Sequence, residues 1–146
     1  MRPASQERKP SAPVSSYAAG QTSDLLRRLA YQANRTSLLK NADAVHDLRV
    51  SIRRLAQCLQ VFAQFFPRAC GKRIRLKLDK VMDLASEARN RDIALEILRG
   101  AGSPAGSPLM LTLVEERRQA ERALVAALKR WKRKNSQRKW RSKLGI

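Results

Sequence analysis

The segment His46-Asp47-Leu48-Arg49-Val50-Ser51-Ile52-Arg53-Arg54-Leu55 holds the only histidine of the chain and three of its arginines. At about 100° per residue along a helix, His46, Arg49 and Arg53 fall on one line, and Gln57, Gln60 and Gln64 extend it. No acidic residue lies on that line. Like charges three and four residues apart destabilise an isolated helix, and a bound anion compensates them. Arginine suits an oxyanion because its planar fork meets two phosphate oxygens at once. Histidine changes charge between about pH 8 and 5, so contact through His46 is expected to tighten on acidification. Spacing alone fits a solvated helix face just as well.

Catalytic groups are scarce by comparison. There is no Gly-rich phosphate loop, no zinc spacing and no credible nucleophile–base pair. Cys58 and Cys70 fit no metal spacing and read as two reduced thiols. The expectation is a binding protein that is not an enzyme, with no cofactor and no metal.

The bulk charge points the same way. The 146 residues carry 31 Lys+Arg against 12 Asp+Glu, a formal net charge of +19. Such an excess repels itself in the folded state, which calls for a neutralising partner: nucleic acid, anionic lipid or a phosphate polymer. Aromatics are only 5% of the chain, which argues against single-strand binding by base stacking. The 43% of hydrophobic residues is enough for a packed core. No apolar run approaches membrane-spanning length and no secretory signal is evident, so a cytoplasmic protein is expected.

Four helices must position these groups. Residues 1–21, rich in Pro, Ser and Ala, read as a disordered tail, and residues 22–146 as one helical domain. Thr22 or Ser23 is the expected cap of a first helix carrying Leu25, Leu26, Leu29, Ala33, Leu38 and Leu39. Asp43 is the expected cap of the second, whose Leu48, Ile52, Leu55, Leu59, Phe62 and Phe66 form one stripe closed by Pro67. A third runs from about Ala69 to Arg99, with Ile74, Leu78, Val81, Met82, Ala85, Ile93 and Leu98. After the Gly/Ser/Pro loop 100–108, a fourth carries Leu111, Val114, Leu124, Ala127, Leu128 and Trp131. Trp131 and Trp140, set in the densest basic stretch, read as core anchors. No strand-like alternation appears. The predicted fold is all-α, an antiparallel four-helix bundle.

His46-x-x-Arg49-Val50-x-x-Arg53-Arg54-Leu55, followed by Phe62, resembles the signature of the CHAD family, the conserved-histidine α-helical domain. Leu78 to Leu95, with Ala88-Arg89-Asn90-Arg91-Asp92-Ile93, resembles that family's long helix, and Glu115-Glu116-Arg117-Arg118-x-x-Glu121-Arg122 is a weaker match. The family carries a further Arg where Ala56 stands and an Asp where Asn90 stands. Its domain has two four-helix bundles, and the resemblance covers the first, so a homodimer is the expected assembly.

The resemblance implies binding of inorganic polyphosphate through His46, Arg49, Arg53 and Arg54, with targeting to polyphosphate granules in the cytoplasm. Lys80 falls where family members tend to be basic, and helical geometry adds Arg73 and Lys77, which share its face. Arg89, with Asp92 at i+3, is expected to be a buried ion pair that organises the bundle behind the ligand contacts. Two other readings stay open. One is a non-specific nucleic-acid-binding basic protein, with weak nucleic-acid binding expected in any case. The other is an adaptor for a polyphosphate- or triphosphate-processing enzyme, since CHAD domains often accompany such catalytic domains.

Overall fold

A computed structural model describes residues 12–146, which form five α-helices and no strand: α1 (Ala12–Leu39), α2 (Ala42–Val61), α3 (Arg68–Gly100), α4 (Pro108–Arg133) and α5 (Ser136–Leu144). Short turns join α1 to α2 and α2 to α3, and α3 reaches α4 through residues 101–107. Successive long helices therefore run antiparallel and pack side by side, with α4 returning to α1. This is an all-α bundle of four long helices with a short fifth. Asn135, in the left-handed region at φ 52°, interrupts the fourth rod and redirects the chain into α5.

The core follows the apolar stripes. Leu48, Ile52, Leu55 and Leu59 of α2 face Leu26 and Leu29 of α1, Ile74, Leu78 and Ala85 of α3, and Leu124 and Leu128 of α4. Trp140 and Leu144 of α5 cover the end of that core, and the Trp140 ring stands edge-on to Trp131 with centroids 5.4 Å apart. Asn41 accepts from the Ala44 N–H at 2.9 Å and Ser107 from Met110, so the caps of α2 and α4 are in place.

Several expectations are corrected. Over residues 12–21 the chain is α-helical where a disordered tail was expected; residues 1–11 lie outside the described residues. The helix starts early because Pro13 sits in its first turn, where a missing N–H costs no bond. It also buries two small residues, Ala18 and Thr22, which a search for large apolar side chains passes over. Thr22 is accordingly no cap: its hydroxyl donates back to the Ala18 carbonyl at 2.8 Å. Asn41, not Asp43, caps α2. Leu38, Leu39, Ile93 and Leu111 are exposed, and Thr36, Leu95 and Met110 are buried.

The expected buried pair is also reassigned. Arg89 lies near Glu96 at 3.9 Å and does not pair with Asp92. Asp92 receives the Nε of Arg117 at 2.8 Å, and Arg117 also meets Glu121 at 2.8 Å and the Lys40 carbonyl at 3.4 Å. Arg117, 8% exposed, is the one buried charged residue among the described ones, and it joins α3, α4 and the α1–α2 turn. Removing one partner of a buried pair leaves the other uncompensated, at a cost of about 3–5 kcal/mol. Arg117→Met is expected to lose about that much stability in urea unfolding. Adding Asp92→Leu to it should restore most of the loss, because an apolar pair needs no counter-charge.

Candidate polyanion-binding surface

On α2, His46, Arg49, Arg53 and Arg54 all lie on the side away from the Leu48/Ile52/Leu55/Leu59 stripe. His46, Arg53 and Arg54 are exposed and Arg49 is half-buried. None of the four pairs with a carboxylate among the described residues. The nearest acid in sequence, Asp47, is held by Arg35 of α1 at 2.6 Å.

The structure divides this row between two grooves. His46 and Arg54 line a groove of about 930 Å³ between α1 and α2, opposite Arg28 and Tyr31. Its two carboxylates are both engaged, Asp47 by Arg35 and Asp24 by Arg27. Arg53 lines a smaller groove of about 260 Å³ between α2 and α3, with Gln57, Gln60, Arg75 and Asp79. Two of the three expected glutamines therefore continue the line. Gln64 does not, because α2 ends at Val61 and residues 63–65 form a 3₁₀ turn.

Arg75 was missed by the sequence reading. It is half-buried and reaches the α2–α3 groove from α3, the same groove that Ala56 lines. It thus supplies from a neighbouring helix a guanidinium that α2 lacks at Ala56. The Nε–H groups of Arg49 and Arg75 are buried and make no hydrogen bond in the described structure. A donor on a charged group is stabilised by an acceptor, so both side chains gain by moving onto an oxyanion. Helical position was the available signal: Arg75 precedes Leu78 and Met82 and lies about 200° from Arg73.

The remaining predicted residues separate. Arg73 and Lys77 point to the side of α3 that carries α5, where they line a hollow with Cys70, Ile74, Trp140 and Lys143. Lys80 is exposed and follows them on the outward side of α3. The structure does not bring Arg73 and Lys77 together with His46, Arg49 and Arg53. Arg89 is half-buried near Glu96, and Asp92 belongs to the Arg117 cluster, so neither adjoins the α2 row.

Half of the acidic residues gather elsewhere. Glu87, Asp92, Glu96, Glu115, Glu116 and Glu121 lie at or near the α3–α4 seam, and each is within 4 Å of an arginine there. Among the described residues no cluster of three metal-ligating side chains is present, and no helix is long and apolar enough to cross a membrane. What the arrangement can do chemically is hold an extended anion: it offers unneutralised guanidinium groups from two helices in adjoining grooves, over a rigid core.

A family model described as CHAD domain matches residues 21–145. No curated protein and no solved structure is matched by the chain.

Unpaired cations at these spacings repel one another in the ligand-free protein. Arg53→Gln with Arg54→Gln is therefore expected to raise the melting temperature at low ionic strength. The gain should vanish near 1 M salt, where the Debye length is about 3 Å. A melting temperature that falls at low salt instead would mean that these side chains are compensated from within.

Proposed function

The chain belongs to the CHAD domain family, and from that premise we propose that it binds inorganic polyphosphate along the outer face of α2 and the grooves that flank it. The family is associated with polyphosphate and triphosphate binding in general. The observation that carries the reading for this chain is the set His46, Arg49, Arg53, Arg54 and Arg75, drawn from two helices and free of ion pairs among the described residues, on a surface where Asp24 and Asp47 are taken up by Arg27 and Arg35 and Asp79 alone of the lining carboxylates stands unpaired.

Linear polyphosphate is flexible, has no bases to stack and carries charge on every unit. The surface matches each property. Its cations sit at one-turn intervals, about 5–6 Å apart at Cβ for residues three or four apart on one helix, which is longer than one P–O–P repeat, so alternate phosphates meet successive cations. Binding releases counterions from the polymer, and affinity falls steeply with salt. Tyr31 is the one aromatic side chain lining the two grooves, which offers little to a stack of bases. We read the activity as binding without turnover, and the protein as a cytoplasmic component held on polyphosphate granules by that affinity.

Two measurements check this. Arg49→Ala with Arg53→Ala should weaken long-chain polyphosphate binding at least about tenfold with helicity intact, from the loss of two charge-assisted contacts. Lys132→Ala with Lys134→Ala should cost less, and the reverse ranking would move the site to the C-terminal segment. Long-chain polyphosphate should displace duplex DNA at equal phosphate concentration while DNA displaces it weakly; equal displacement both ways would describe a generic polycation.

A further inference from the structure

The hollow between α3 and α5 has no part in the α2 surface. Arg73 and Lys77, one turn apart on α3, and Lys143 on α5 line a space of about 100 Å³. That is the share of roughly three waters, enough to seat a tetrahedral phosphate. Its floor is apolar: Ile74 is 2% exposed and Trp140 3% exposed, with half-buried Cys70 beside them. Cations over an apolar floor are less screened than cations over water. No carboxylate lines the hollow, and Arg73, Lys77 and Lys143 form no ion pair among the described residues. The chain has no acidic side chain after Glu121, so α5 brings none to the hollow.

Three like charges held together by two separate elements need a reason. Trp140 fixes α5 against α3 by burial, and Arg141 ties α5 to α1 by donating to the Ser23 hydroxyl at 2.9 Å. The two helices that carry these exposed cations are thereby held together by neighbours that bring no compensating charge. Arg73 lies about 200° around α3 from Arg75, so this hollow and the α2–α3 groove occupy opposite sides of one helix.

We propose that Arg73, Lys77 and Lys143 form a second phosphate-binding site, independent of the α2 surface, which makes one molecule divalent toward phosphate polymers. Two sites on opposite sides of α3 let one protein engage two stretches of polymer. Long chains are then cross-linked instead of merely coated, and the second contact gains from the high effective concentration that the first creates. Lys80 extends the cationic edge along the same helix. This proposal rests on the α2 surface being the first phosphate site, and the two are separable by experiment.

Binding of tripolyphosphate, a ligand too short to span α3, is measured calorimetrically at low salt. The expected stoichiometry is two per wild-type chain. Arg73→Ala with Lys77→Ala and Lys143→Ala should reduce it to one with circular dichroism unchanged, and Arg49→Ala with Arg53→Ala should instead remove the other site. A charge-matched control, Lys129→Ala with Lys132→Ala and Lys134→Ala, should retain both. With long-chain polyphosphate, the wild type should raise light scattering through cross-linking, and the Arg73/Lys77/Lys143 variant should bind without scattering. A wild-type stoichiometry of one that the triple substitution leaves unchanged overturns the second site and leaves the α2 site standing. Equal losses in the triple variant and the control overturn it as well, by showing a diffuse charge. No binding to the wild type overturns both sites together.

Discussion

Arg117 reaches Asp92 on α3, Glu121 on its own helix and the Lys40 carbonyl in the α1–α2 turn, and among the described residues it is the charged one that the bundle buries. Three elements meet at that guanidinium. The cost of taking it out of water is offset only because two carboxylates and a carbonyl surround it. Around it, Arg91 bridges to Glu87 and Glu116, and Arg118 lies near Glu115. The chain has 12 acidic residues for 31 basic ones, and half of the acids serve this seam. Charge neutrality at one edge of the bundle thus leaves a cationic surplus on the rest.

That surplus is arranged rather than spread evenly. α2 holds its arginines away from the leucine stripe, so the helix that supplies the centre of the core also supplies the row of cations. Burial of Leu48, Ile52, Leu55 and Leu59 fixes its rotation, and the outer row is fixed with it. The backbone positions of the row are set before any ligand arrives, and the exposed side chains of His46, Arg53 and Arg54 still have to be ordered on binding. Repulsion within the row is the penalty, and the hydrophobic core carries it.

Much of this was legible in the amino-acid order. The α2 stripe, the Gly/Ser/Pro loop, the all-helical class and the family resemblance all rest on strong local patterns. What escaped detection had weaker ones. Ala18 and Thr22 are core positions held by small side chains, so the first ten residues of α1 passed for a tail. Arg89 and Arg117 both sit among acids in sequence, and only the packing of α3 against α4 decides which one is buried. Arg75 and Arg73 are two residues apart, and which of them faces α2 depends on the rotation of α3. One-turn spacing put Arg73, Lys77 and Lys80 on one face, but it could not say that Arg73 and Lys77 look toward α5.

The location of the contact is the centre of the account, and an amide-resolved NMR titration with short-chain polyphosphate tests it most directly. The largest shifts are expected at residues 46–57 of α2 and at Arg75 and Asp79 of α3, with a second group at Arg73, Lys77 and Lys143. The Arg117 seam should stay unperturbed. Shifts confined to residues 129–139, or spread evenly over every lysine and arginine, would contradict a built binding surface on α2.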